Sequence, residues 1–236
     1  MTKGKDMKGK IKYFFGLEKK LLKFAINEAM HQDKPPAFQK VDSYYDGIQF
    51  ITPRQAALEA VSKEIYKYKV KGDVAEAGVY RGDFAKYINI LFPDRKLYLI
   101  DTFEGFDSGD IAVDKTHSYS EGNQDFSDTN EKIVLQKMKF PNNCIIRKGF
   151  FPASMQDVDN KFSFVSLDMD LYEPTFAGLN WFWERLNPGG YIFVHDCRNN
   201  SYKGSKQAVI DFCGKNNIGY FVMPDAEGSA VLAKGK

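Results

Sequence analysis

From Asp73 onward the sequence alternates short apolar runs with stretches of helical character, and few folds accommodate that alternation. "DVAEAGV" (73–79) reads as a strand, "DFAKYINILF" as a helix and "KLYLIDTF" as a second strand. "NNCIIRKGFF", "FSFVSLDMDL" and "GGYIFVHDC" are three further strands, with the helix "TFAGLNWFWERL" between the last two. Strands that alternate with helices pair in parallel through right-handed crossovers, so the pattern predicts a doubly wound α/β sheet covered on both faces. In the tail, "IGYFVMPDAEGSAVLAK", two apolar runs flank a Pro-Asp-Ala-Glu-Gly turn. That predicts a hairpin, with one antiparallel strand closing the sheet edge.

The first 70 residues differ. Residues 10–31 space apolar side chains helically among lysines, Pro35 and Pro36 break the chain, and "TPRQAALEAVSKEIYKY" restarts a helix. Thr52 suits its N-cap, Pro53 its first position, and Ala56, Val61 and Ile65 its buried side. Residues 1–70 are therefore expected to form a helical extension of the same domain, for oligomerisation or substrate cover, and 71–236 the domain that carries the chemistry. Between Asp107 and Asp128 a polar stretch reads as a long loop, of the kind that forms lids.

Composition excludes several classes. The 33 basic and 31 acidic residues leave a net charge of +2, too little to draw in nucleic acid. Three cysteines without metal-type spacing argue against a disulfide framework and for a reducing, cytoplasmic setting. No apolar run approaches the roughly 20 residues of a membrane span, and no signal-peptide segment is evident. The apolar stripe of the N-terminal helices predicts a homo-oligomer.

In an open α/β sheet, ligands bind beyond the carboxyl ends of the strands. The turn "AEAGVYRGDF" lies at such an end, but a dinucleotide site would want glycine where Glu76 stands, because a carboxylate repels a pyrophosphate. A phosphate-free ligand with a cationic centre suits that acid, and S-adenosylmethionine, with its ammonium and sulfonium, is one. Gly78 and Gly82 would keep side chains clear of it, and Asp101 stands where such folds place a ribose-binding acid. Alternatively, the turn is only a tight strand-to-helix connection with a solvated acid.

Further on, "LDMDLYEPT" ends a strand with Asp168 and Asp170, and "YIFVHDC" ends another with His195 and Asp196. On neighbouring strands these tips would lie about 5 Å apart, bringing together a set of metal-ligand type. Oxygen-rich sets suit Mg²⁺, and a histidine also admits Mn²⁺, Fe²⁺ or Zn²⁺. The alternative is that these acids cap helices or pair with Arg81, Arg147 or Arg198. His117 reads as a solvated loop residue, Trp181 and Trp183 as helix packing, and Cys197 as a small buried residue rather than a nucleophile.

These blocks, "GDVAEAGVYRGDFA", "LYLIDTFEGF", "LDMDLYEPT", "LNPGGYIFVHD" and "YKGSKQAVIDF", resemble the macrocin and mycinamicin type O-methyltransferases, which act on sugar hydroxyls of glycosylated natural products. The resemblance runs from about Thr52 to the C-terminus. It implies a class I methyltransferase fold with a seven-stranded sheet, S-adenosylmethionine as cofactor and Mg²⁺ as assisting metal. Glu76, Gly78 and Asp101 would hold the cofactor, and Tyr80, Gly82, Thr102, Ser127, Gly149 and Asp168 complete its expected contacts. Asp168, His195 and Asp196 would bind the metal, and Asp170 would be the general base. The chain departs from the family's Asp-Asp pattern at His195, which leaves the metal's identity open. Other readings are a nicotinamide-dependent oxidoreductase or epimerase, a non-catalytic S-adenosylmethionine-binding protein, and an "HD" phosphohydrolase.

Overall fold

A computed structural model describes residues 52–235. The helices expected over 10–31, and the roles given to them, lie outside these residues. Helix α1 (Pro53–Lys67) begins as its sequence dictates: the Thr52 hydroxyl accepts the Gln55 N–H, the Gln55 side chain accepts the Thr52 N–H, and proline fills a position that needs no donor. Its buried face carries Leu58, Ser62 and Ile65, with Ala56 and Val61 only half-buried beside it. Of the expected side, Ile65 is buried as read, while Leu58 and Ser62 are buried in place of Ala56 and Val61.

Five parallel strands follow: β1 (Asp73–Ala77), β2 (Leu97–Asp101), β3 (Cys144–Lys148), β4 (Phe162–Leu167) and β5 (Leu186–Val194). The C-terminal hairpin adds β6 (Phe221–Val222) and β7 (Ala230–Ala233), giving the spatial order β3-β2-β1-β4-β5-β7-β6. The expected hairpin is present: β7 runs antiparallel to both β5 and β6. β6, at the sheet's edge, spans only two residues, which limits its exposed backbone.

Helices α2 (Ala85–Leu91), α5 (Tyr172–Arg185) and α6 (Lys203–Asn216) cover the sheet. Ala75, Val165 and Ile192 cluster with Leu179 and Phe182 of α5 and Phe212 of α6, while Phe164 meets Phe92 and Phe193. Burial on both faces explains why β4 is apolar throughout apart from two serines. Trp181 stacks edge-on against Phe151 and Trp183 against Phe212, as packing residues should. None of the helices among the described residues is long and apolar enough to cross a membrane.

The polar stretch after Asp107 is not simply a loop. Its first half forms α3 (Ser108–Thr116), because the Asp107 carboxylate accepts the N–H groups of Gly109 and Asp110 and so caps a new helix. Asn130 caps α4 (Glu131–Lys137) in the same way, accepting the Ile133 N–H.

Candidate active site

Strand order reverses between β1 and β4, which are neighbours in space with β2 and β3 on one side and β5 on the other. At such a switch point connecting segments diverge and leave a crevice at the carboxyl edge. A cleft of about 500 Å³ opens there, lined by Glu76, Gly78, Tyr80, Asp101, Thr102, Gly149, Asp168, Asp170, His195 and Asp196. Ten sequence-nominated residues therefore meet in one place. Gly82 and Ser127 do not line it. Gly82 (φ +74°) instead lets the chain pass Val134 of α4, whose Cγ1 would lie 3.0 Å from an added Cβ, and Ser127 turns back to bond Asp125.

Backbone pairing fixes the cluster. Asp168 N–H donates to Ala77 O (2.8 Å) and His195 N–H to Leu167 O (2.8 Å), so the tips of β1, β4 and β5 stay in register. Beyond those bonds Asp170 (φ +61°) and Asp196 (φ +63°) adopt left-handed backbone, a region aspartate enters more readily than most residues. Gly78 (φ +81°) permits the closest approach: a Cβ there would lie 1.8 Å from the Asp168 carbonyl oxygen. Its lack of a side chain thus serves strand contact as well as any ligand.

Asp101 is positioned by three backbone donors, with Oδ2 accepting from Val79 and Tyr80 and Oδ1 from Phe103. A carboxylate offers about four acceptor sites, so one remains for a hydroxyl. Glu76 is 1% exposed and its Oε2 has no hydrogen-bond partner, while Oε1 lies 3.5 Å from the Ser166 hydroxyl. Burial pushes its carboxyl up to about 8 against the opposing pull of Arg54. An orphaned buried acid of this kind fits a cationic ligand.

On the other side, His195 Nδ1 sits 3.1 Å from Asp168 Oδ1 and 3.0 Å from Asp196 Oδ2. One ligand atom from each of these residues lies within 4.8 Å of the others, a spacing that one divalent ion can bridge. The donor set of one imidazole nitrogen and two carboxylate oxygens fits Mn²⁺ or Fe²⁺ as well as Mg²⁺. Burial opposes the charged form of both partners, yet Arg54 and His195 hold Asp168 well below the ordinary carboxylate range, and Asp168 in turn carries His195 up to about 10. Burial, reinforced by the Asp168 and Asp196 charges, raises Asp170 well above its usual value.

The sequence reading missed Arg54, which reaches from α1 to Asp168 Oδ2 (2.9 Å) and Ser166 Oγ (2.9 Å). A signal existed: a cation in a helix's first turn opposes the macrodipole and needs a partner. It missed as well the aromatic wall of Phe106, Phe126 and Tyr202, with ring centroids 5.1 and 5.9 Å from Phe106. His117 lies outside the cleft lining, stacked on Tyr119, and Cys197 is buried with its thiol pushed up to about 12 by that burial.

This sheet order, flanked by helices on both faces, is the class I methyltransferase fold. The chain belongs to the macrocin-O-methyltransferase (TylF) family, whose profile matches residues 46–225. It is similar to the 8-demethyl-8-(2,3-dimethoxy-alpha-L-rhamnosyl)-tetracenomycin-C 4'-O-methyltransferase of Streptomyces olivaceus, at 26% identity over 161 residues. That match covers 63% of this chain and 60% of the relative's length. Among solved structures, the O-methyltransferase NovP aligns with a TM-score of 0.62 at 20% identity, covering 78% of this chain and 80% of its own. The calicheamicin methyltransferase CalS11 aligns equally well, with a TM-score of 0.62 at 20% identity over 78% of this chain and 79% of its own. At such identities the two structures bear on the fold alone.

Proposed function

We propose that the protein is an S-adenosylmethionine-dependent O-methyltransferase that methylates a hydroxyl of a sugar or glycoside with the help of a divalent metal. The observation that carries this reading is the pairing, in one crevice, of the orphaned Glu76 carboxylate with the Asp168, His195 and Asp196 cluster. Glu76 takes the donor's ammonium, the free acceptor site of Asp101 takes a ribose hydroxyl, and Thr102 and Gly149 line the same cavity for the rest of the nucleoside. The acceptor oxygen attacks the sulfonium methyl in line; a C–O bond forms, the C–S bond breaks, and S-adenosylhomocysteine leaves. Asp170 accepts the hydroxyl proton at its carboxylate. A divalent ion held by Asp168, His195 and Asp196 would lower the hydroxyl's pKa as a Lewis acid. Holding both reactants together contributes further, since orientation alone can be worth about 7–11 kcal/mol.

Dialysis against a chelator is expected to lower turnover by about tenfold or more, with recovery on adding Mn²⁺ or Mg²⁺. Turnover that ignores both treatments removes the metal from this scheme.

Charge narrows the acceptor. Asp107, Asp110, Asp170 and Glu227 line the cleft, and the two arginines among its described lining residues are already paired, Arg54 with Asp168 and Arg81 with Asp128. A diphosphate would meet carboxylates there, whereas an uncharged ring can lie on the wall of Phe106, Phe126 and Tyr202. With donor labelled at the methyl group, transfer to neutral glycosides is therefore expected to exceed transfer to nucleotide-diphosphate sugars. A preference for the nucleotide sugar overturns this assignment, and no transfer to either class of hydroxyl overturns the function.

A further inference from the structure

The geometry points to Arg54 as a positioning residue that sets Asp168 as a one-oxygen metal ligand and ties it to the donor-side acid Glu76; this rests on the metal-assisted methyl transfer proposed above. Arg54 is 8% exposed and lies in the first turn of α1, where no acidic residue accompanies it. Its place is fixed from three directions. Nη1 donates to Asp168 Oδ2 and Nη2 to Ser166 Oγ, both at 2.9 Å, and the guanidinium carbon stands 3.9 Å above the Phe84 ring at the start of α2.

The consequence falls on Asp168. With Oδ2 engaged by Arg54, Oδ1 is the oxygen turned to His195, 3.1 Å from Nδ1. A free carboxylate could rotate and present either oxygen, or both. Held at one end, it offers a single oxygen in one direction. The other arm of the fork holds Ser166, whose hydroxyl lies 3.5 Å from Glu76 Oε1, so one planar cation spans the acid proposed for the donor and the acid proposed for the metal. Glu76, Asp168, Asp170 and Asp196 crowd the same crevice, and Arg54 stands among them with a charge that does not titrate, beside His195. Lysine keeps the charge but lacks the rigid planar fork that holds these two acceptors in fixed directions.

The test uses the whole chain and Mn²⁺ as the probe, followed by its paramagnetic resonance signal, with S-adenosylhomocysteine binding measured by calorimetry. R54K is expected to fold with little change in Tm and to bind Mn²⁺ about 10–100-fold more weakly, as is usual when the group that orients a metal ligand is removed. Its kcat should fall while the KM for the donor stays close to wild type. Should R54K not fold, Ser166→Ala frees one arm of the fork and is expected to weaken Mn²⁺ binding by a smaller factor, about threefold. Wild-type Mn²⁺ affinity in R54K, or in Ser166→Ala where that variant stands in, overturns the inference and leaves Arg54 as a pin for α1. A wild-type protein that binds neither Mn²⁺ nor S-adenosylhomocysteine sinks the proposed function itself; binding of both by the wild type, with no change in the variants, sinks only the role of Arg54.

Discussion

Replacing Asp170 with asparagine is expected to lower kcat by about 10²- to 10⁴-fold, the range spanned by a positioned general base. Asparagine keeps the shape and loses the proton acceptor. Asp170 sits beyond the end of β4 in left-handed backbone, its carbonyl accepts the Ser205 hydroxyl at 3.0 Å, and its carboxylate faces the Asp168 and Asp196 charges. Asparagine tolerates the same backbone, so the turn should survive. Burial and the neighbouring acids already disfavour the charged form of Asp170, so a neutral amide of the same shape should not lower the variant's Tm. S-adenosylhomocysteine should bind as before, because Glu76 and Asp101 are untouched. Initial rates, calorimetry and a melting curve on one preparation therefore separate loss of the base from loss of the fold. Wild-type kcat in this variant would take Asp170 out of the proton transfer.

Much of this site could be read in the sequence because its parts obey short-range rules. Strand runs followed by acids are visible as "LYLID", "VSLDMD" and "YIFVHD", and a doubly wound sheet brings the ends of such strands to one edge. What escaped depends on distant or very local partners. Arg54 finds Asp168 across 114 residues, and nothing in "TPRQAALEA" names that acid. Helix α3 hides in a polar stretch because a single Asp107 side chain, bonded to two N–H groups, starts it. Helix α4 is seven residues long and buries only Val134, too little for an apolar period to register. The two glycines of the β1 turn were expected to clear space for a ligand. Gly78 does line the cleft, but Gly82 faces Val134 and Met138 in ordinary packing.

That difference between the glycines yields opposite expectations for adding one methyl group. Gly78→Ala would place its Cβ 1.8 Å from the Asp168 carbonyl oxygen and 2.5 Å from its carbon, both backbone atoms, at a φ of +81°. No rotamer change relieves a clash with backbone. The end of β4 has to move away from β1, and the Asp168 N–H to Ala77 O bond at 2.8 Å goes with it. Left-handed backbone costs about 1–2 kcal/mol for alanine and overpacking about 1–3 kcal/mol, with about 1 kcal/mol more for the lost hydrogen bond. For a chain of this size each kcal/mol shifts Tm by about 2–4 °C, so a fall of about 10 °C or more is expected, along with lost turnover in whatever still folds, since Asp168 itself is displaced. Gly82→Ala comes nearest to Val134 Cγ1 at 3.0 Å and Met138 Cε at 3.2 Å, side-chain atoms that can yield, with the Val134 Cα at an ordinary contact distance of 3.6 Å, and it should lower Tm by clearly less. Melting curves of the two variants side by side decide the matter. Equal shifts would mean that left-handed backbone alone sets the cost at both positions and that the close passage of Gly78 by Asp168 adds nothing.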